Sequence, residues 1–172
     1  MRIASHTGVL ALAVFAALLA AGAAIATTHL VRASVTVRTT TLGKVAADQH
    51  GRTLYLFEKD RRGMSACTGS CVSFWPPLLT NGKPRVAAGI KRPLLGTIRR
   101  SDGRTQVTYG GHPLYRFSLD TGAGQTNGEG LDDFGAHWYA VSPAGAKVVK
   151  KASTGGGSTG GGSGYPGYPP RR

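Results

Sequence analysis

The sequence predicts a small all-β protein, a single domain built from two related β-hairpin or meander repeats. An N-terminal signal segment precedes it and a disordered C-terminal tail follows. Three observations carry this reading. A decapeptide is written twice, as "GRTLYLFEKD" at 51–60 and "GHPLYRFSLD" at 111–120, with Gly, Leu, Tyr, Phe and Asp in register. Self-similarity of this kind marks a structural unit used twice. Short runs of β-branched and aromatic residues alternate with turns rich in Gly, Asp and Pro, the pattern of strands and hairpins. Each copy then reaches a tryptophan, Trp75 in the first and Trp138 in the second.

The elements follow in chain order. Residues 1–26 read as a signal peptide: Arg2, an apolar run from Val9 to Ile25, and small residues at Ala24–Ala26 for an export peptidase. An uncleaved membrane anchor is the alternative. No cysteine lies near the cleavage site, so lipid attachment to an N-terminal cysteine is excluded. Residues 27–41 form a lead-in whose threonine-rich second half suits an edge strand. Copy one (about 42–80) opens with a strand at Leu42–Ala46, turns at Asp48–Gly51 and continues as a strand at Thr53–Phe57. Tyr55 and Phe57 share one face of that strand and Leu54 and Leu56 the other, so it belongs in the middle of a sheet. Copy two (about 95–143) has strands near Gly96–Arg99 and Gln106–Tyr109, a "GGHP" turn, and a strand at Leu114–Phe117. Residues 144–172 are rich in Gly, Ser, Pro and Tyr, and bury too little apolar surface to offset the entropy of ordering them.

The chain carries a formal net charge of +13, or 13 − 1 = +12 once Arg2 leaves with the signal. A protein this basic is drawn to polyanions. For an exported chain those are anionic cell-wall polymers or lipid surfaces. The basic residues are scattered singly or in pairs and form no nucleic-acid-binding motif. Sequence leaves the oligomeric state open.

Few groups suggest chemistry. Cys67 and Cys71, in "CTGSC", are the only cysteines. In an exported protein they suit a structural disulfide pinning a turn before Trp75. Close thiols also suit a redox or metal site, which makes an electron-transfer or metal-handling accessory the rival function, although the spacing is not that of Cys-x-x-Cys motifs. Asp60 and Asp120 each follow a Tyr-x-Phe strand. They suit turn capping, or a matched acid–base pair if they meet. Asp120, Glu129, Asp132 and Asp133 gather in a glycine-rich loop without the spacing of a known calcium loop. His50, His112 and His137 could in principle supply ligands, but two of them fall in predicted turns. No catalytic, cofactor or metal motif is present. The expectation is a non-enzymatic, envelope-associated or extracellular binding or structural module without a cofactor.

These residues resemble a family, the bacterial secreted repeat of unknown function, which includes predicted lipoproteins with a Tyr-x-aromatic-x-x-Asp motif. The resemblance rests on "YLFEKD" at Tyr55–Asp60 and "YRFSLD" at Tyr115–Asp120. It extends through Cys67, Cys71 and "WPP" at Trp75–Pro77, and through "QVTYGGHPLYRF" at Gln106–Phe117. It implies an exported, envelope-associated protein of tandem repeats, with Tyr55, Phe57, Asp60, Trp75, Tyr115, Phe117, Asp120 and Trp138 as motif residues. It implies no activity.

Overall fold

The computed structural model describes residues 32–149, so the expected signal peptide, the start of the lead-in segment and the chain from 150 onward lie outside the described residues. The strands are β1 (Ser34–Thr40), β2 (Gly43–Asp48), β3 (Tyr55–Phe57), β4 (Arg85–Val86), β5 (Leu95–Arg99), β6 (Thr105–Tyr109), β7 (His112–Pro113), β8 (Asp132–Asp133) and β9 (Ala136–Ala140). One helical turn, α1 (Cys71–Phe74), and a 3-10 turn at Arg92–Leu94 interrupt them. The described residues are therefore nearly all-β, in three small sheets ordered β2-β1-β4, β3-β9-β8 and β5-β6-β7.

β1 and β2 form a tight hairpin from Thr40↔Gly43 to Val35↔Asp48. Gly43 takes φ +92°, and the Thr40 hydroxyl accepts from the Leu42 amide and donates to the Gly43 carbonyl. Two expectations change here. The strand in the lead-in segment is central rather than an edge, because β4 returns from the linker and runs parallel to it with Val86 beside Val35. A two-residue strand has no period to read. The partner of β2 is also β1 and not the Thr53–Phe57 segment, which touches β2 only through an Ala47↔Thr53 bridge. The Asp48 carboxylate accepts the His50 and Arg52 amides and closes that turn tightly. Beyond it, Tyr55–Phe57 turns away to pair with β9.

In copy two, β5 and β6 pair from Leu95↔Tyr109 to Arg99↔Thr105. The turn expected over "GGHP" contracts to Gly110–Gly111, both at positive φ, and His112–Pro113 is already strand. Leu114–Phe117, expected as a regular strand, is extended but pairs in a different way. Its neighbour is the Phe74–Pro77 segment: the Arg116 amide donates to Pro76 O and the Ser118 amide to Phe74 O. Pro76 and Pro77 have no N–H to donate, so the return bond comes from the Leu78 amide to Leu114 O, and the pairing stays an isolated bridge at Pro77↔Tyr115 rather than a regular strand.

The molecule's internal symmetry lies at this point. The Tyr55 and Tyr115 amides each donate to the other's carbonyl, at 2.9 and 3.0 Å. The segments around Trp138, Tyr55, Tyr115 and Trp75 therefore lie side by side in that order. Each Tyr-x-Phe strand pairs with the other copy's tyrosine on one side and the other copy's tryptophan segment on the other. Hydrogen bonds repeat around this centre: Leu54 N to Ala46 O matches Leu114 N to Val107 O, and Val141 N to Leu54 O matches Leu78 N to Leu114 O. Two clusters of buried side chains result. One is largely aliphatic, with Leu54, Leu56, Leu78, Val107, Leu114 and Val141, and the other is largely aromatic.

Order continues past the expected end of the domain. Residues 144–149, read as tail from their composition, turn at Gly145 (φ +81°) and fold back, with Val148 N donating to Ala140 O and Lys147 pairing with Glu58 at 2.7 Å.

Candidate functional site

The aromatic cluster contains every aromatic residue of the motif. Phe57, Trp138, Trp75 and Phe117 form a ladder with successive ring centroids 4.0, 3.8 and 4.4 Å apart, the two indoles nearly parallel at 5°. The order alternates between copies, so each phenylalanine covers the other copy's tryptophan. Tyr55 packs edge-on against Trp75 and Tyr115 edge-on against Trp138, within their own copies. All six rings are at most 1 % exposed. Each well-placed aromatic pair adds about 0.5–1.5 kcal/mol beyond the area it buries.

The polar ends of these rings are tied crosswise. The Tyr55 hydroxyl donates to Asp120 Oδ2 at 2.6 Å, and the Tyr115 hydroxyl donates to Asp60 Oδ2 at 2.8 Å. Each aspartate's other oxygen accepts a backbone amide of its own copy, Ala66 N for Asp60 (2.7 Å) and Asn127 N for Asp120 (2.9 Å). The turn-capping role expected from sequence is thus present, and a second role accompanies it: each carboxylate clasps the other repeat. Both indole N–H groups end on one residue, with Trp75 Nε1 donating to Asp133 Oδ2 and Trp138 Nε1 to Asp133 O. Gly128 lies where a side chain would not fit, since a Cβ there would meet Trp75 at 2.8 Å and Tyr55 at 3.0 Å.

Burial sets the ionisation of these groups. It pushes both phenols well above their ordinary range, with the neighbouring carboxylates, Asp120 and Asp60, acting in the same direction. It raises the Asp120 carboxyl against the pull of the Tyr55 hydroxyl and the Asn127 hydrogen bonds. Asp60 is pushed up to about 6, burial outweighing the Ala66 amide, the Tyr115 hydroxyl and the Arg100 charge. An unfolded aspartate titrates near ~3.9. Between these values the folded state binds more protons than the unfolded state, so the Asp60 contribution is fully present below about 4 and is lost as pH rises through about 6. Carbon-13 NMR of the Asp60 carboxyl should show a midpoint near 6. A midpoint at or below ~4 would contradict this burial argument.

Asp60 also lines an open cleft of about 360 Å³ with Phe57, Glu58, His112 and Lys147, whereas Asp120 is only 1 % exposed. The two motif carboxylates are thus engaged by tyrosines at separate ties, and no hydrogen bond joins them. His50 and His137 are exposed, His112 is half-buried, and no group of three metal-binding side chains occurs among the described residues. In the acidic loop Asp120, Glu129 and Asp133 hold Tyr55, the Ala140 amide and Trp75 respectively. Cys67 and Cys71 are disulfide-bonded to each other, and Cys71 opens the α1 turn that delivers Trp75.

One buried group had no signal in the sequence. Arg100, 4 % exposed, donates to Ser65 Oγ, Gln106 Oε1, the Cys67 carbonyl and Asp102 Oδ2. It fastens the disulfide loop of copy one to the β5–β6 hairpin of copy two. In sequence it is one arginine of a pair beside a turn, a setting that usually means solvent.

The fold and its cross-tied centre define a class, the duplicated all-β module whose repeat motif is its own core. The chain belongs to the family described as secreted repeat of unknown function, whose model matches residues 36–79 and 96–142. No curated protein and no solved structure matches it. Membership in a secreted family makes this an exported protein, and no helix among the described residues is long and apolar enough to cross a membrane.

Proposed function

We infer that this protein is a non-enzymatic module of the cell envelope or extracellular space that docks on anionic wall polymer or lipid surfaces through its positive charge. One observation carries the reading: the motif is spent on architecture. Its aromatic side chains are buried and its two aspartates are engaged in holding the repeats together, and of these groups Asp60 alone lines an open cleft, with one oxygen on Tyr115 and the other on the Ala66 amide. What faces outward is predominantly basic. Seven of the eight acidic residues bond to protein partners: Asp48, Glu58, Asp60, Asp102, Asp120, Glu129 and Asp133. Exposed lysines and arginines are spread over both copies.

Attraction between surface charges is screened beyond about 8 Å at physiological ionic strength. Retention on an anionic envelope preparation should therefore fall steeply between low and high salt. Removing residues from Ala152 onward takes away Arg171 and Arg172 and should weaken retention only slightly. Retention that survives high salt, or that vanishes with the tail, would defeat this reading.

A further inference from the structure

Around the otherwise symmetric centre, the outer hairpins of the two copies differ in charge. The turn of copy one, 40–43, is "TTLG" and has no charged residue, while the corresponding turn of copy two, 99–104, is "RRSDGR". That turn borders a cleft of about 500 Å³ lined by Leu79, Thr80, Asn81, Arg99, Gly103, Arg104 and Thr105. Thr80 N donates to Thr105 O at 3.0 Å, which fixes the Leu79–Asn81 wall against β6. The Thr80 hydroxyl accepts the Ala33 amide and donates to Gly82 O, bringing the N-terminal end of β1 to the same edge. Arg32 and Lys83 are exposed there.

The one carboxylate at this hairpin, Asp102, is shared by two arginines. Arg104 Nη2 binds it from solvent at 2.8 Å and Arg100 Nε from the interior at 3.2 Å. These bonds, the Arg104 side chain first, hold the Asp102 carboxyl far below its usual range, so it is ionised at any physiological pH. The buried Arg100 supplies the counter-charge to Asp102. Arg104, with its side chain 53 % exposed, and Arg99, exposed and without an ion pair among the described residues, therefore leave the rim net positive. A planar guanidinium presents paired donors matched to phosphate oxygens, and Asn81 adds an amide.

We propose that the cleft between Leu79–Asn81 and the Arg99–Thr105 hairpin is a binding site for phosphodiester groups. The site rests on the reading of the module as one that docks on anionic surfaces, and gives that docking a specific chemistry. Wall polymers of the glycerol-phosphate type and phospholipid headgroups both offer this group.

The test uses the mature full chain with three probes: poly(glycerol phosphate), phosphatidylglycerol vesicles and poly-glutamate, the last a polyanion without phosphate. Amides of Asn81, Gly103 and Thr105 should shift in NMR spectra with poly(glycerol phosphate), with vesicles, or with both, and the responding probe identifies the source. The double variant R99A/R104A should weaken binding to that probe roughly tenfold, the scale of losing charge-assisted contacts. R61A/R62A removes the same charge from exposed positions elsewhere and should cost no more than about twofold. R99K/R104K keeps the charge without the planar fork and should fall between them. Unchanged spectra away from the hairpin will establish that each variant is folded. Equal losses in the two alanine variants, or equal affinity for poly-glutamate, would overturn the cleft while leaving diffuse docking intact. Failure to bind any of the three probes would overturn both.

Discussion

Cut between Gly89 and Ile90, each repeat is expected to remain unfolded as a monomer, and the two fragments are expected to fold only when mixed. The reason is the crosswise pairing. In residues 32–89 the strand Tyr55–Phe57 has lost both its neighbours, β9 and Tyr115, because both belong to copy two. In residues 90–149 the Tyr115–Phe117 segment has lost Tyr55 and the Phe74–Pro77 segment in the same way. Each fragment also keeps an aspartate without its tyrosine and a tryptophan without its stacking partners. A chain of about 60 residues is marginal even with a complete core, and here half the core belongs to the other fragment. The Trp75–Trp138 stack, with its indoles 3.8 Å apart, should give a near-ultraviolet circular dichroism signal that is absent from either fragment and appears on equimolar mixing. A cooperative thermal melt from either fragment as a monomer would sink the idea that the repeats fold only together.

That crosswise pairing is also where sequence reading stopped. Register between the two decapeptides showed a unit used twice, and alternation placed Tyr55 and Phe57 opposite Leu54 and Leu56, as the two core clusters bear out. Local patterns carry that much, because face and period are local properties. Which strand pairs with which is not local. A hairpin between 42–46 and 53–57 was the economical reading, and the chain instead sends Tyr55–Phe57 to a strand some 80 residues away. The Tyr–Asp ties were out of reach for a related reason. Each motif contains both a tyrosine and an aspartate five positions apart, and nothing within one motif says that they serve different repeats. Arg100 was harder still, since only the folded hairpin turns it inward to the Cys67 carbonyl. The exchange also explains why the same letters recur: a partner that is a near copy of oneself requires both halves of each tie to be written twice.

Replacing Tyr55 with alanine is expected to destabilise the domain by about 3–5 kcal/mol, the usual cost of deleting a large aromatic from a core. Domains of this size have about 5–15 kcal/mol in all, so the variant should sit near the edge of folding. Two losses combine. The ring is fully buried against Trp75, and its removal leaves a cavity walled by rigid aromatic groups and by the Gly128 backbone, which have little room to collapse. The hydroxyl is also the side-chain donor to Asp120, whose carboxylate is 1 % exposed, and an unsatisfied buried acceptor costs roughly 1–3 kcal/mol. Phenylalanine at the same position separates the two, since it keeps the ring and removes only the hydroxyl. Its cost should lie in that lower range, and should shrink as pH falls, because the raised Asp120 carboxyl can then take up a proton and shed its charge. The matching Tyr115→Phe variant should be milder, because the Asp60 it serves reaches solvent through the cleft. Chemical denaturation of the three variants at neutral and acidic pH reads all of this from midpoints. A Tyr55→Ala variant unfolding at the wild-type midpoint would remove the tyrosine from the core and, with it, the crosswise tie as the source of the domain's stability.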